Sequence, residues 1–167
     1  MKLRDVEAVF RSLNAAGVRY LVAGGLAVNA HGYQRLTGDI DLVIQLKRKN
    51  VEDASRALAE LNYRPLAPVQ MSELADEKKR TEWIQSKNMN VFGLANDDAQ
   101  KPAIDLFVTK PFDFAREYEL ALIAEVATGV EVRFVSIPTL IEMKELAGRP
   151  RDMDDIQHLK WLLEESQ

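Results

Sequence analysis

Apolar residues recur along the chain in short blocks whose spacing switches between helical and strand-like periods. Val6, Val9, Phe10 and Leu13 fall three and four positions apart, the period of one buried helix face, and Gly17 ends the pattern. Val18 to Gly24, "VRYLVAG", is a short β-rich run, and "GLAVNAHG" after it reads as a short helix closed by Gly32. Asp39 to Leu46, "DIDLVIQL", alternates and is β-branched, which predicts a strand. Asn50 is placed to cap a helix carrying Ala54, Leu58 and Leu61 on its inner face. Tyr63 to Gln70 reads as a loop broken by Pro65 and Pro68, and Met71 to Ser86 as a heavily charged helical segment. "MNVFGL" and "AIDLFVTK" predict strands on either side of the turn-like "ANDDAQKP". "PFDFAREYELA" predicts a short helix, and "LIAEVA" with "VEVRFVS" a hairpin turning at Thr128 and Gly129. Pro138 starts a helix that Gly148 ends; Pro150 starts the last, with Ile156, Leu159, Leu162 and Leu163 inward.

This order predicts an α+β (mixed α/β) fold: a mixed sheet flanked by helices, with two helices at the C-terminus. The 167 residues suit one domain, 1–167, of which 137–167 would be a C-terminal helical appendage. No internal repeat or low-complexity tract interrupts it.

Composition narrows the chemistry. At 47% hydrophobic and 29% charged the chain is ordinary for a globular protein. The absence of Cys excludes disulfides and thiolate metal sites. "MKLRDVEAVF" lacks a signal-peptide apolar region and no run is long enough to span a bilayer, so the expectation is a cytoplasmic protein with no membrane partner. A net charge of -4 argues against a broad basic face for duplex nucleic acid but leaves room for a local basic site.

The carboxylates of Asp39 and Asp41 carry the strongest signal. In a strand, residues two apart share a face, so the pair are neighbours while Ile40 and Leu42 point into the core. Two carboxylates that close repel unless a cation sits between them, and hard oxygen ligands suit Mg²⁺ or Mn²⁺. Asp105 in "PAIDLFV" is likewise flanked by apolar residues. If its strand lies beside the first, three carboxylates converge, a sufficient ligand set for two metal ions about 3.5–4 Å apart. The plainer alternative is that each Asp starts a strand and faces solvent. Asp97 and Asp98, in a polar turn, fit that description.

Gly24 and Gly25 stand at a strand-to-helix turn, where a missing Cβ lets backbone N–H groups approach a ligand and the helix start favours anions. Gly-Gly, thirteen residues, Asp-x-Asp on a strand and a third apolar-flanked Asp together resemble the nucleotidyltransferase superfamily of DNA polymerase beta. Within it, the chain is similar to small bacterial nucleotidyltransferase-like proteins related to AbiEii-type abortive-infection toxins. "GGLAVNAHGYQRLTGDIDLVI", "WIQSKNMNVFGL", "AIDLFV" and "IEMKELAGRPRDMDDIQHL" carry the likeness over most of the chain. The resemblance implies a polymerase-beta-like core and magnesium-dependent transfer of a nucleoside monophosphate from an NTP, with release of pyrophosphate. It implies that Gly24 and Gly25 hold the triphosphate and that Asp39 and Asp41 bind both metals. Asp105 would bind the catalytic metal and help deprotonate the acceptor hydroxyl. The chain departs from the family at Gly25, where many members carry Ser.

A triphosphate also needs cations, for which Arg35, Lys144, Arg149 and Arg151 are available. Lys144 could meet phosphate or lie on a solvated helix face, and Arg35 could meet phosphate or pair with a carboxylate. Asp152 and Asp155 sit where acids stabilise a helix start, as does Asp154; Asp152, with Arg151, is also a weak candidate for the site. His158 reads as a surface residue. His31 could line the site, and Tyr33 could stack on a base or simply pack.

The functional expectation is therefore a nucleotidyltransferase acting on an RNA end such as a tRNA 3′ end, a protein side chain or a small molecule. The alternative is a non-catalytic nucleotide- or partner-binding module, for example one half of a toxin–antitoxin pair with a cognate antitoxin. A dinucleotide-binding domain is set aside, because "AGGLAVNAHG" does not match G-x-G-x-x-G.

Overall fold

The computed structural model describes all 167 residues. Seven strands form one sheet: β1 Tyr20–Val22, β2 Ile40–Ile44, β3 Tyr63–Pro65, β4 Val91–Asn96, β5 Ile104–Phe107, β6 Leu122–Ala127 and β7 Val130–Phe134. Their order is β3-β4-β5-β2-β1-β7-β6. The β2/β5 and β1/β7 pairs are parallel and the remaining pairs antiparallel, which makes the sheet mixed. The helices are α1 Leu3–Ala15, α2 Gly24–Ala30, α3 Arg48–Glu60, α4 Glu77–Lys87, α5 Phe114–Leu120, α6 Ile137–Ala147 and α7 Pro150–Glu165. A 3-10 turn, Met71–Ala75, precedes α4. No helix is long and apolar enough to cross a membrane.

The core follows the apolar pattern. Val6, Val9, Phe10 and Leu13 of α1 are buried, and so are Ile40, Leu42 and Ile44 of β2 and Ile104 and Leu106 of β5. Leu140, Ile141, Ile156 and Leu159 join the same cluster, so α6 and α7 share the core with the sheet. Gly148 ends α6 in the left-handed conformation (φ 62°), where a Cβ would be strained.

Two expectations need correction. Asn50 does not cap α3, which starts at Arg48 after Lys47. Its amide instead accepts from the Arg19 N–H at 2.8 Å and donates to the Arg19 and Gln45 carbonyls at 3.0 and 2.9 Å, tying α3 to the ends of β1 and β2. Tyr63–Pro65 is an edge strand rather than a loop, and a sheet edge is where Pro is tolerated in a strand. The charged segment before β4 is helical as expected, and it also contributes to the core: Arg80 and Trp83 of α4 are buried, with Arg80 donating to the Leu74 carbonyl and Trp83 tilted against Phe92.

Candidate active site

One row of residues crosses the sheet from edge to centre. Leu66 donates its backbone N–H to the Gly93 carbonyl at 3.0 Å. Gly93 pairs with Asp105, Asp105 pairs with Asp41, and the Ala23 N–H donates to the Asp41 carbonyl at 2.9 Å. Residues directly opposite on paired strands share a face, so Asp41 and Asp105 stand side by side there. Their apolar neighbours Ile40, Leu42, Ile104 and Leu106 are fully buried on the other face. Asp39 lies one residue ahead of β2, not within it, and is exposed.

Gly24 sits under the Asp41 carboxylate. A Cβ added there would come within 2.0 Å of Asp41 Oδ2, and Gly24 has a φ of 60°. The glycine therefore serves both a left-handed backbone and a close approach. Gly25 differs. It is buried, and a Cβ there would meet Thr37 Oγ1 at 2.5 Å and Arg35 Nη1 at 3.1 Å. Thr37 and Arg35 cover the second glycine, and the exposed part of the pair is Gly24.

The carboxylates perturb one another. Burial, then the charges of Asp105 and Asp39, push Asp41 up to about 6, with Arg149 and Lys144 opposing. Asp105 is raised by burial and by Asp39. No three His, Asp or Glu side chains are drawn together into a closed metal-binding cluster. The donor set nonetheless fits a hard cation. Asp41 and Asp105 face the same side with only oxygen donors, and their mutual repulsion is the strain a divalent ion relieves.

Three of the candidate cations, Arg35, Lys144 and Arg149, form an ion network. Arg35 makes a two-pronged pair with Asp155, Nε to Oδ1 at 2.8 Å and Nη2 to Oδ2 at 2.9 Å. Lys144 is only 4% exposed and donates to Asp155 at 2.7 Å and Asp152 at 3.3 Å. Arg149 Nε donates to Asp152 at 2.8 Å, and Asp152 Oδ2 accepts the Arg149 backbone N–H at the start of α7. Burial pushes the Asp152 carboxyl up, but hydrogen bonds from Arg149 and the charges of Lys144 and Arg149 prevail and hold it below the usual range.

Lys144 is thus neither solvated nor free. Arg35 pairs with a carboxylate, and Asp152 and Asp155 are members of an ion network as well as helix-start acids. Arg151 is exposed and outside these pairs. Sequence reasoning missed the pairing role of Asp155; its signal was the spacing of eight and eleven residues from Lys144 to Asp152 and Asp155 across a helix turn. It also missed Gly93, a glycine inside a strand pattern, which marks a close approach. The aromatic candidates pack on each other. Tyr33 stacks on His158 with centroids 3.7 Å apart and donates its hydroxyl to Asp154, while Trp161 meets the His158 ring edge-on. His158 is therefore not a free surface residue, and His31 Nε2 bonds the Val135 carbonyl at 2.8 Å.

A cavity of about 350 Å³ lies away from the carboxylates, between α3 and β3, lined by Leu58, Tyr63 and Leu94.

No family model and no curated protein sequence matches the chain. Solved structures share its fold. The solution structure of the antibiotic-resistance factor ANT(2'')-Ia aligns with a TM-score of 0.62 and 15% identity over 96% of this chain and 83% of that one. The crystal structure of ANT(2'')-Ia with adenylyl-2''-tobramycin gives 0.61 and 14%, over 96% and 88%. The mixed sheet and its flanking helices are thus a nucleotidyltransferase-like fold.

Proposed function

We propose that the chain is a metal-dependent nucleotidyltransferase that moves a nucleoside monophosphate from an NTP to an acceptor hydroxyl and releases pyrophosphate. The observation that carries this reading is the in-register pair Asp41 and Asp105, with Gly24 pressed under the Asp41 carboxylate. The fold shared with ANT(2'')-Ia supports it.

Asp41 and Asp105, with the exposed Asp39 beside them, would hold Mg²⁺ or Mn²⁺. A divalent ion held there would supply positive charge to offset that of the phosphates and of the transition state. The protein's own steps follow from the row across the sheet. Gly24, whose missing Cβ makes room for the Asp41 carboxylate, would bring its backbone and that carboxylate to the phosphates together. Asp105 takes the proton of the acceptor hydroxyl. The freed oxygen lone pair attacks the α-phosphorus in line, and the bond to the α,β-bridging oxygen breaks as pyrophosphate leaves. On the far side of Asp105 the row continues into Gly93, over which the exposed Leu66 side chain lies; the acceptor would enter there as Leu66 swings aside.

Among acceptors, a small hydroxylated cation suits three carboxylates and a net charge of -4 better than a long polyanion. The ANT(2'')-Ia structure contains such an adduct, adenylyl-2''-tobramycin. An RNA end or a protein side chain remains the wider class. The likeness to AbiEii-type toxins, and a cognate antitoxin with it, rests on the sequence motifs alone. A second reading, a non-catalytic nucleotide or partner module, draws on one observation. Arg35 and Lys144, two of the four cations the sequence offers to phosphate, are engaged by Asp155 and Asp152.

The test is thermal unfolding with each NTP, with and without Mg²⁺, followed by pyrophosphate release with an acceptor panel. A ligand at 100 times its dissociation constant adds about 2.7 kcal/mol. A Mg²⁺-dependent shift with one NTP and acceptor-dependent pyrophosphate release support transfer. A shift without release supports a nucleotide-binding module, and no shift with any NTP argues against both transfer and nucleotide binding.

A further inference from the structure

Three of the four candidate cations, Arg35, Lys144 and Arg149, are joined in one ion network. Gly25 is covered by Arg35, Arg35 is held by Asp155, Asp155 by Lys144, Lys144 by Asp152 and Asp152 by Arg149, so one chain of contacts runs from the glycine turn to the start of α7. Within it the cations are not equivalent. Lys144 is buried and shared between two carboxylates. Arg35 spends its Nε and Nη2 on Asp155 and its Nη1 on the Leu36 carbonyl. Arg149 is anchored on one edge only, through Nε and Nη2 to Asp152, while its side chain remains 54% exposed. Its Nη1 has no partner among the protein's hydrogen bonds, and its charge is felt at Asp41. A guanidinium fixed along one edge and open along the other is pre-oriented for a second anion.

We infer that Arg149 is the residue that grips the polyphosphate tail of the nucleotide, aligned by Asp152, and that Lys144 is a positioning residue that never touches the nucleotide. This deepens the nucleotidyltransferase reading and rests on it. The ligand chemistry is a polyphosphate carrying a divalent cation, and of the four cations the sequence offers it, Arg35, Lys144, Arg149 and Arg151, the pairing pattern selects Arg149.

The experiment is calorimetric titration of the full chain with Mg²⁺–pyrophosphate and with Mg²⁺–NTP, for wild type, Arg149→Ala, Arg149→Lys and Arg35→Ala. Unliganded unfolding midpoints serve as the check on folding. The Arg149 backbone N–H to Asp152 survives both Arg149 substitutions, so α7 keeps that part of its start. Loss of one charged, two-pronged contact weakens binding about tenfold or more. The expected result is such a loss for both ligands in Arg149→Ala and a smaller one in Arg149→Lys, with Arg35→Ala retaining affinity. Wild-type affinity in Arg149→Ala overturns the inference, as does a loss confined to Arg35→Ala. Should the wild type bind neither ligand, the nucleotide reading itself falls and this inference with it. Wild-type binding with an unaffected Arg149→Ala removes only the inference.

Discussion

Asp41 and Asp105 stand opposite each other on adjacent parallel strands, with their carboxylates on one face of the sheet and their apolar neighbours on the other. The sheet thus uses the alternation of two strands to press like charges together. The pair lowers stability in the absence of a cation, and that tension between folding and chemistry is measurable.

The first prediction concerns Asp41→Asn. Asp41 is raised from 3.8 to about 6 by burial, Asp105 and Asp39. The native state therefore binds more protons than the unfolded state between those two values, and stability falls as pH rises through that window. Asparagine removes this penalty. The variant is expected to unfold at a higher temperature than wild type at pH 7 without metal, and to match it at or below pH 4. Adding Mg²⁺ should raise the midpoint of the wild type more than that of the variant. Transfer should drop by roughly 100-fold or more, the size of loss when one preorganised charge-stabilising group is removed. Unfolding midpoints from pH 4 to 7, with and without Mg²⁺, check the sign.

Gly24→Ala tests the close approach. The new methyl group would need Asp41 Oδ2 to move away from 2.0 Å, and the backbone at φ 60° adds strain of about 1 to 2 kcal/mol. Gly129 is the control: its φ is 73° but nothing lies within 4 Å of an added Cβ. Gly129→Ala should show the strain alone in denaturant unfolding. Gly24→Ala should add to it a loss of Mg²⁺-dependent nucleotide binding.

Lys144→Met leaves Asp152 and Asp155 buried with one partner fewer. Removing one member of a buried ion network costs about 3–5 kcal/mol, and urea unfolding at pH 7 should read a loss of that order. The acid limb has the opposite sign to that of Asp41. Asp152 is held below 3.8, so its contribution is intact above that value and lost as pH falls through its lower native value. The wild type should lose this contribution only in strong acid, and Lys144→Met should blunt that loss.

The local parts of the site were legible because strand alternation and glycine punctuation are local. "DIDLVI" announces a strand with acids on one face, and "AIDLFV" a second such strand. Their parallel pairing, with Asp41 facing Asp105, depends on a register between segments 64 residues apart (105 − 41) that no local pattern encodes. The same limit hid the partners of Arg35, whose Asp155 lies 120 residues away. Asn50 misled for a related reason. Its side chain can cap a helix, but a buried amide bonded to three backbone groups of Arg19 and Gln45, the residues flanking β1 and β2, wins over a cap. Pro65 suggested a loop because proline is excluded from sheet interiors, and the order placing β3 at an edge could not be read from composition.

The last prediction concerns the side of Asp105 away from Asp41. Gly93 has no positive φ, so its backbone does not require glycine, and a β-branched residue suits a strand. A Cβ there would meet Leu66 Cδ1 at 2.9 Å and Asp105 Oδ1 at 3.6 Å. Leu66 is 70% exposed, and its terminal methyl group can swing away, so Gly93→Val is expected to fold with a stability change within about 1 kcal/mol. What changes is the space beside the carboxylate that receives the acceptor proton. In the proposed reaction the nucleotide lies on the Gly24 side of the row and the acceptor on the Gly93 side. Gly93→Val should therefore keep the Mg²⁺-dependent thermal shift with NTP while raising the KM for the acceptor and lowering pyrophosphate release. Leu66→Ala, which clears rather than fills that space, should leave nucleotide binding equally intact and change acceptor KM alone. Loss of the NTP shift in Gly93→Val, with the fold retained, would place the nucleotide on the Gly93 side and reverse the assignment of the two halves of the site.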